Sequence, residues 1–248
     1  LWYELMTTDT AAAKAFYTEV IGWSTSEWAE GEMPMPYTMW MAGEEPFGGL
    51  MELPEEARNM GVPPHWMAYV GVPDADATVA QAKELGATVL NGPFDIPGVG
   101  RIAILQDPQG APFSIFRPEG EQKAAKPPSV GKVSWNELST TNVEAAWDFY
   151  EAIFDWKITS DMDMPAEMGG GIYRMYTKSE WSYGGIGKAM PGMPNAWMYY
   201  IQVGDLDAAV QRAQSMGAKL LNGPMDVPGG DRVAQLMDPQ GASFAMHW

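Results

Sequence analysis

Gly86-Ala-Thr-Val-Leu-Asn-Gly-Pro-Phe-Asp-Ile-Pro97, running on through Arg101 to Asp107-Pro-Gln-Gly-Ala111, occurs twice in this chain. The second copy reads Gly217-Ala-Lys-Leu-Leu-Asn-Gly-Pro-Met-Asp-Val-Pro228 and runs through Arg232 to Asp238-Pro-Gln-Gly-Ala242. The offset holds at both ends, 222 − 91 = 131 and 238 − 107 = 131, so the protein is two copies of one unit and any function has to be read on both.

Working outward, each copy shows the same order of elements. Trp2-Tyr-Glu-Leu-Met-Thr-Thr alternates like a strand with Trp2, Glu4 and Met6 on one face, and Trp135-Asn-Glu-Leu-Ser-Thr-Thr repeats it. Asp9 and Asn142 are N-caps for helices carrying Phe16-Tyr17 and Phe149-Tyr150. The Met-, Tyr-, Pro- and Gly-rich segments Ser24 to Met51 and Thr159 to Lys188 read as meanders of two or three strands. They are broken at Met33-Pro-Met-Pro, Gly48-Gly49, Gly169-Gly-Gly and Gly184-Gly185. His65-Trp-Met-Ala-Tyr-Val and Ala196-Trp-Met-Tyr-Tyr-Ile read as strands, and Asp74 and Asp205 cap second helices. The apolar positions of those helices match across copies: Ala75, Val79, Ala82 and Leu85 against Leu206, Val210, Ala213 and Met216. A strand over Ala87 to Leu90, a turn at Asn91-Gly-Pro, a strand from Arg101, a turn at Asp107-Pro-Gln-Gly and a last strand to Arg117 complete the copy. The expected fold class is α+β, four βαβββ modules in tandem. The expected domains are residues 1–117 and 132–248, joined by a linker over 118–131 that contains Lys123-Ala-Ala-Lys-Pro-Pro.

Composition narrows the function classes. Each copy, at about 120 residues, is long enough for its own core; 46% of residues are apolar and 19% charged, as in a globular chain. Cysteine is absent, which rules out disulfides, thiolate metal sites and cysteine nucleophiles and slightly favours an intracellular protein. A net charge of −17 with 15 Lys and Arg argues against nucleic acid and gives a field that favours cations, although excess Asp and Glu also serve solubility. No apolar run nears the roughly 18 residues that span a bilayer, and the opening residues do not read as a leader, so a cytoplasmic protein without membrane contact is expected. The abrupt start at Leu1 suggests that a few residues precede it.

The capped helix with Phe-Tyr near its middle, His65-x-x-x-Tyr-Val before Asp74, Leu85-Gly-Ala and Asp107-Pro-Gln-Gly before the last strand together resemble the vicinal oxygen chelate superfamily. This is the group of glyoxalase I, bleomycin-resistance proteins and extradiol dioxygenases. Within it, Trp2-Tyr-Glu-Leu-Met-Thr-Thr-Asp, the Trp-Met-x-Tyr strands and Asp-Pro-Gln-Gly-Ala-x-Phe look most like two-domain, actinobacterial-type proteins known as hydroxylase or glyoxalase-like. The resemblance covers nearly the whole chain and implies two glyoxalase-like domains, each a mixed sheet curled into a cup around a small-molecule cavity.

In the family's metal enzymes three ligands hold a divalent ion with open positions for substrate oxygens. The resemblance places those positions at Trp2, His65 and Ser114 in one copy and at Trp135, Ala196 and Ala245 in the other. One ligating side chain in six positions argues against a family-type metal. The remaining metal alternative is Glu4, His65 and His247 around Zn, Ni, Mn or Fe, which would make the protein a glyoxalase-type lyase or isomerase or an extradiol-type dioxygenase.

The sharpest candidates are Glu4 and Glu137, carboxylates recurring on a strand face of Trp and Met. They would act as general acid or base, or as an anchor for a cation; the plainer reading is that each accepts a hydrogen bond from a Trp, Tyr or Arg across the sheet. His65 joins them as a candidate catalytic residue, against a plain capping or core histidine. Arg101 and Arg232 would suit an anion or the Glu pair but read first as surface partners. For ligand contact the expected residues are Trp2, Trp135 and Ser114, with Met67 and Tyr69 on the face of His65 and Met198 and Tyr200 at the matching positions. The leading expectation is a protein without cofactor that binds a small apolar or aromatic molecule, to sequester it or to act on it by metal-free acid–base chemistry. It would be a monomer or homodimer. A third class, an interaction protein with its cups filled by side chains, stays open, because the fold hosts several functions.

Overall fold

The computed structural model describes residues 1–28, 37–120, 127–166, 170–178 and 180–248. Met33 to Pro36, Gly169 and Lys123 to Lys126, read above as breaks and linker, lie outside the described residues.

The first copy builds β1 (Trp2–Thr7), α1 (Thr10–Ile21), β2 (Ser24–Glu27), β3 (Thr38–Ala42), β4 (Glu45–Glu52), α2 (Glu55–Asn59), β5 (His65–Gly71), α3 (Ala75–Glu84), β6 (Thr88–Ile96), β7 (Gly100–Gln106) and β8 (Pro112–Pro118). The second builds β9 (Val133–Thr140), α4 (Val143–Phe154), β10 (Lys157–Met164), β11 (Gly171–Thr177), β12 (Gly184–Lys188), β13 (Ala196–Gln202), α5 (Leu206–Ser215), β14 (Lys219–Asp226), β15 (Arg232–Met237) and β16 (Ser243–His247). Two eight-stranded sheets result, in the orders β2-β3-β4-β1-β5-β8-β7-β6 and β10-β11-β12-β9-β13-β16-β15-β14. Both are mixed: β1 runs parallel to β4 and β5 to β8, while the outer pairs are antiparallel. The fold is the expected α+β arrangement of four βαβββ modules.

By packing, the chain divides into two compact units. The first unit comprises Leu1–Ala68, Pro128–Ser134 and Tyr199–Trp248, and the second Tyr69–Pro127 and Trp135–Met198. Each combines a capped helix from one copy with the Asp-Pro-Gln-Gly turn of the other.

The helices start where the caps predict. Asp9, Asp74, Asn142 and Asp205 each accept a bond from the backbone N–H three residues on, satisfying one donor that the first turn leaves open. In the first unit α1 buries Ala13, Phe16, Tyr17 and Val20, and α5 buries Leu206, Ala209, Val210 and Ala213. Phe16 and Tyr17 meet Phe244 edge-on, and Tyr17 stacks on Trp23. The Tyr17 hydroxyl donates to Asp238 Oδ2 at 3.0 Å and accepts from Trp66 Nε1 at 2.9 Å. The second unit repeats this. Tyr150 donates to Asp107 Oδ2 at 3.0 Å, Trp197 Nε1 donates to Tyr150 at 3.2 Å, and Phe113 packs edge-on against Phe149, Tyr150 and Phe154.

Four local readings need correction. Leu85 is 42% exposed rather than buried, because it stands at the C-cap of α3, past the last turn that faces the core; Met216 is half-buried for the same reason. Asn91-Gly-Pro and Asn222-Gly-Pro do not end a strand but form bulges inside β6 and β14, where the register shifts. Gly92 has φ +90° there, and a Cβ on it would lie 2.8 Å from the Ile102 carbonyl oxygen. Gly48-Gly49 lies inside β4, and Gly184-Gly185 opens β12. The short helix α2, with Glu55 and Glu56 in its first turn, was not anticipated.

Tyr17→Phe removes a donor from a buried carboxylate and the acceptor from Trp66, so urea unfolding should show a loss of about 1–3 kcal/mol, and Tyr150→Phe likewise. Burial raises the Asp238 carboxyl above its ordinary value, although the turn N–H groups and Tyr17 pull the other way. A carboxyl raised on folding contributes stability that is fully present below its unfolded value of about 4 and is lost as pH rises through the folded value. Asp238→Asn should therefore flatten the pH dependence of unfolding in that window.

Candidate functional site

Glu4 sits on β1 directly opposite Gly49 of β4. The side of Gly49 is filled by the Tyr37 hydroxyl: a Cβ there would overlap it. Tyr37 accepts from Trp2 Nε1 at 2.8 Å, and its own hydroxyl donates to Glu4. Burial, and then the negative charge of Glu4, hold the Tyr37 phenol well above its ordinary pKa. Glu4 is only 5% exposed, so this part of the first unit is a buried carboxylate met by an aromatic donor.

The second unit contains the same arrangement. Glu137 of β9 pairs with Gly185 of β12, and a Cβ on Gly185 would overlap the Tyr173 ring. Trp135 Nε1 donates to Tyr173 at 2.8 Å, and Tyr173 donates to Glu137 Oε2 at 2.8 Å. Glu137 is half-buried, so this copy is the more open of the two. Tyrosine is thus the donor in both, which is the plainer reading given to the two glutamates. Sequence reading missed Tyr37 and Tyr173. The available signal was the glycine opposite each Glu, which is the space the tyrosine takes.

The other predicted residues are distributed as follows. His65, Met67, Tyr200 and His247 belong to the first unit with Trp2 and Glu4; Tyr69, Ser114 and Met198 belong to the second with Trp135 and Glu137. His65 is half-buried, donates from Nδ1 to the Pro63 carbonyl at 2.8 Å, and is pushed below its usual pKa by burial. Met67 is buried, while Met198 is half-buried. Tyr69 and Ser114, both buried, are register partners of β5 and β8. The buried Tyr200 hydroxyl accepts from Gln235 Nε2 at 2.7 Å. Arg101 is held by Asp76 and Asp95, and Arg232 by Asp207 and Asp226, so both are surface partners and neither meets a glutamate of the pair.

The donor set does not suit a family-type metal ion. Among the described residues no group of three or more His, Asp or Glu is placed to hold one. Glu4, His65 and His247 are not gathered. Glu4 takes the Tyr37 bond and His65 turns to Pro63, while His247 lies between Ser134 Oγ at 2.8 Å from Nδ1 and Asp231 Oδ2 at 3.3 Å from Nε2. Trp2, at the implied first-ligand position, spends its N–H on Tyr37.

Comparison with known proteins follows the repeat. The family model described as Glyoxalase/Bleomycin resistance protein/Dioxygenase superfamily matches residues 1–115 and 132–246. CFP32 of Mycobacterium tuberculosis (strain CDC 1551 / Oshkosh), whose name assigns it provisionally to the glyoxylases, is 34% identical over 251 residues, covering 99% of this chain and 92% of its own. The anthracycline biosynthesis protein DnrV of Streptomyces peucetius is 31% identical over 274 residues, covering 99% and 91%. Among solved structures, a substrate complex of homoprotocatechuate 2,3-dioxygenase from Brevibacterium fuscum has a TM-score of 0.66 at 15% identity, covering 100% of this chain and 79% of that one. A Mn(II)-bound glyoxalase from Novosphingobium aromaticivorans has a TM-score of 0.64 at 17% identity, covering 99% and 80%. At those identities the two structures speak for the fold alone.

Gly49→Ala should displace Tyr37 and break the Trp2–Tyr37–Glu4 set, lowering stability by about 1–3 kcal/mol as the buried carboxylate loses a donor. The check is near-ultraviolet circular dichroism with urea unfolding beside Tyr37→Phe: similar losses in the two variants are expected, and an unchanged Gly49→Ala protein would contradict the placement.

Proposed function

This chain belongs to the Glyoxalase/Bleomycin resistance protein/Dioxygenase superfamily, and from that premise we propose that it binds a flat, apolar or aromatic small molecule beside its Trp–Tyr–Glu sets without using the family metal. The observation that carries the reading is the recurrence, in both copies, of a carboxylate flanked by a half-buried Trp and a Tyr on a strand face. Aromatic faces stack on flat ligands, and a carboxylate among them fixes orientation. Relatives named for anthracycline biosynthesis support a polycyclic aromatic ligand.

Bound in this way, the ligand is either sequestered or acted on by acid–base chemistry, with Glu4 and His65 as the proton-handling groups of the first unit and Glu137 that of the second. Met67 and Tyr200 in the first unit, and Tyr69, Ser114 and Met198 in the second, are proposed to contribute to ligand contact. The metal-dependent alternative, a lyase or extradiol-type dioxygenase, draws support from the relative named as a glyoxylase and from the fold relatives, but finds no fitting donor set among the described residues.

Calorimetric titration with a neutral polycyclic quinone tests this. Two equivalents per chain are expected, with Trp2→Ala and Trp135→Ala each weakening one of them by about tenfold, or 1.4 kcal/mol. Absence of saturable binding, or binding indifferent to both substitutions, would sink the reading. Quinone recovered unchanged indicates sequestration, and conversion lost in Glu4→Gln indicates acid–base chemistry.

A further inference from the structure

We propose that Asn222 is a site of spontaneous covalent modification, in which the Gly223 backbone nitrogen closes on the Asn222 side-chain amide. The cyclic imide so formed is opened by water to aspartate or isoaspartate. This reaction belongs to β14 alone and is independent of the ligand reading above.

The geometry comes from the bulge. Along β14 the register runs Leu220 with Leu236, Asn222 with Gln235 and then Met225 with Val233, so Gly223 and Pro224 fall in the gap between paired positions. The Gly223 N–H donates instead to Oδ1 of its own neighbour Asn222, at 3.0 Å. That bond holds the nitrogen beside the amide carbon, as in a near-attack conformer, and polarises the carbonyl to be attacked. Asn222 is exposed, so solvent base and water reach it. Nor can a side chain at 223 screen the nitrogen: Gly223 has φ +85°, and a Cβ there would lie 2.6 Å from the Val233 carbonyl oxygen. The bulge that requires glycine thereby leaves the nitrogen uncovered. Asn91-Gly92 stands in the matching bulge of β6, with Gly92 at φ +90° and Asn91 exposed. Among the described residues, however, the bond to the following N–H is made by Asn222 and not by Asn91.

In the first step the Gly223 nitrogen gives its proton to solvent base and forms a bond to Asn222 Cγ. The bond from Cγ to the side-chain nitrogen breaks, and that nitrogen takes up a proton and leaves as ammonia. Water then adds to one of the imide carbonyls and breaks its bond to the ring nitrogen. In sum an amide and a water become a carboxyl group and ammonia, with no change of oxidation state. Opening at the side-chain carbonyl leaves aspartate in an ordinary backbone. Opening at the main-chain carbonyl leaves isoaspartate, which adds a methylene to the main chain ahead of Met225 and Asp226 and disturbs their pairing with Val233 and Arg232. Either product puts a new negative charge on the strand that carries Asp226, the 3.6 Å partner of Arg232.

The test incubates the folded, full-length protein in mildly alkaline buffer and follows both Asn-Gly pairs by peptide mapping and mass spectrometry. Asn222 should convert about tenfold faster than Asn91, since only the former is held for attack. Where isoaspartate has formed, the chain should resist an aspartate-specific protease at residue 222. In urea the advantage should disappear, because both pairs are then Asn-Gly-Pro in a chain without bulges. Asn222→Gln, whose longer side chain would have to close a larger ring, should stop conversion at 222 and leave that at Asn91 unchanged. The comparison of the two asparagines is made on the wild-type protein, so it stands even if Asn222→Gln does not fold. Equal rates at the two positions in the folded chain, conversion led by Asn91, or a ratio that is the same in urea would overturn the inference. An Asn222 that keeps its amide throughout would do so as well.

Discussion

The bond from a helix tyrosine to a buried aspartate is the constraint on which each compact unit depends. Tyr17 and Asp238 are 221 residues apart in the chain, Tyr150 and Asp107 only 43, yet both pairs meet at 3.0 Å with a tryptophan N–H behind the hydroxyl. The carboxylate is in turn pinned by its own turn: Asp238 Oδ1 accepts from the N–H groups of Gln240, Gly241 and Ala242, and Asp107 Oδ1 from Gln109 and Ala111. A buried charge is tolerable when its lone pairs are met in this way. The tyrosine ties its helix to that turn, and the Phe beside it packs edge-on against the last strand of the partner module.

That bond also explains what could be read from the chain and what could not. Caps, helices and the repeat were legible because they follow local rules: Asp9 and Asn142 accept from the backbone three residues on whatever the rest of the fold does. The two motifs that marked the ends of each copy, Phe-Tyr and Asp-Pro-Gln-Gly, were visible as strings. That the tyrosine of one copy bonds to the aspartate of the other was not, since sequence separation carries no information about it. The misread glycines have a similar origin. Gly48-Gly49 reads as a chain break, whereas inside β4 Gly48 lets the Tyr3 backbone carbonyl approach and Gly49 leaves the space that the Tyr37 phenol fills. The position of Glu4 and Glu137 was legible from alternation. Their partners were not, because Tyr37 stands outside β3 and Tyr173 within β11, at an offset (173 − 37 = 136) unlike the 131 of the repeat.

The two Trp–Tyr–Glu sets depend on the same economy of donors as the two Trp–Tyr–Asp sets. In each, an indole N–H, which can only donate, ends on a phenol, which both accepts and donates, and the phenol ends on a carboxylate, which can only accept. The order cannot be reversed, so the negative charge always lies at the end of the relay. What differs is the remainder of each carboxylate's surroundings. Turn N–H groups close around Asp107 and Asp238, which makes them structural. Glu4 and Glu137 lie on strand faces opposite glycines, where backbone N–H groups are committed to the sheet ladder. One relay used twice per unit thus gives one carboxylate enclosed by its own turn and another on the face of a sheet.

The same asymmetry bears on why tryptophan stands where the family's first metal ligand is implied. A divalent ion needs several acceptors aimed at one point with their own donors turned away. Trp2 and Trp135 bring a donor instead, and their partner tyrosines direct it to the glutamate. A tryptophan at that position therefore removes a ligand and, through the tyrosine, engages the nearest carboxylate on its strand. A histidine placed there would still leave Tyr37 and Tyr173 bonded to their glutamates, so at each of these faces the Trp and the Tyr act together on the carboxylate.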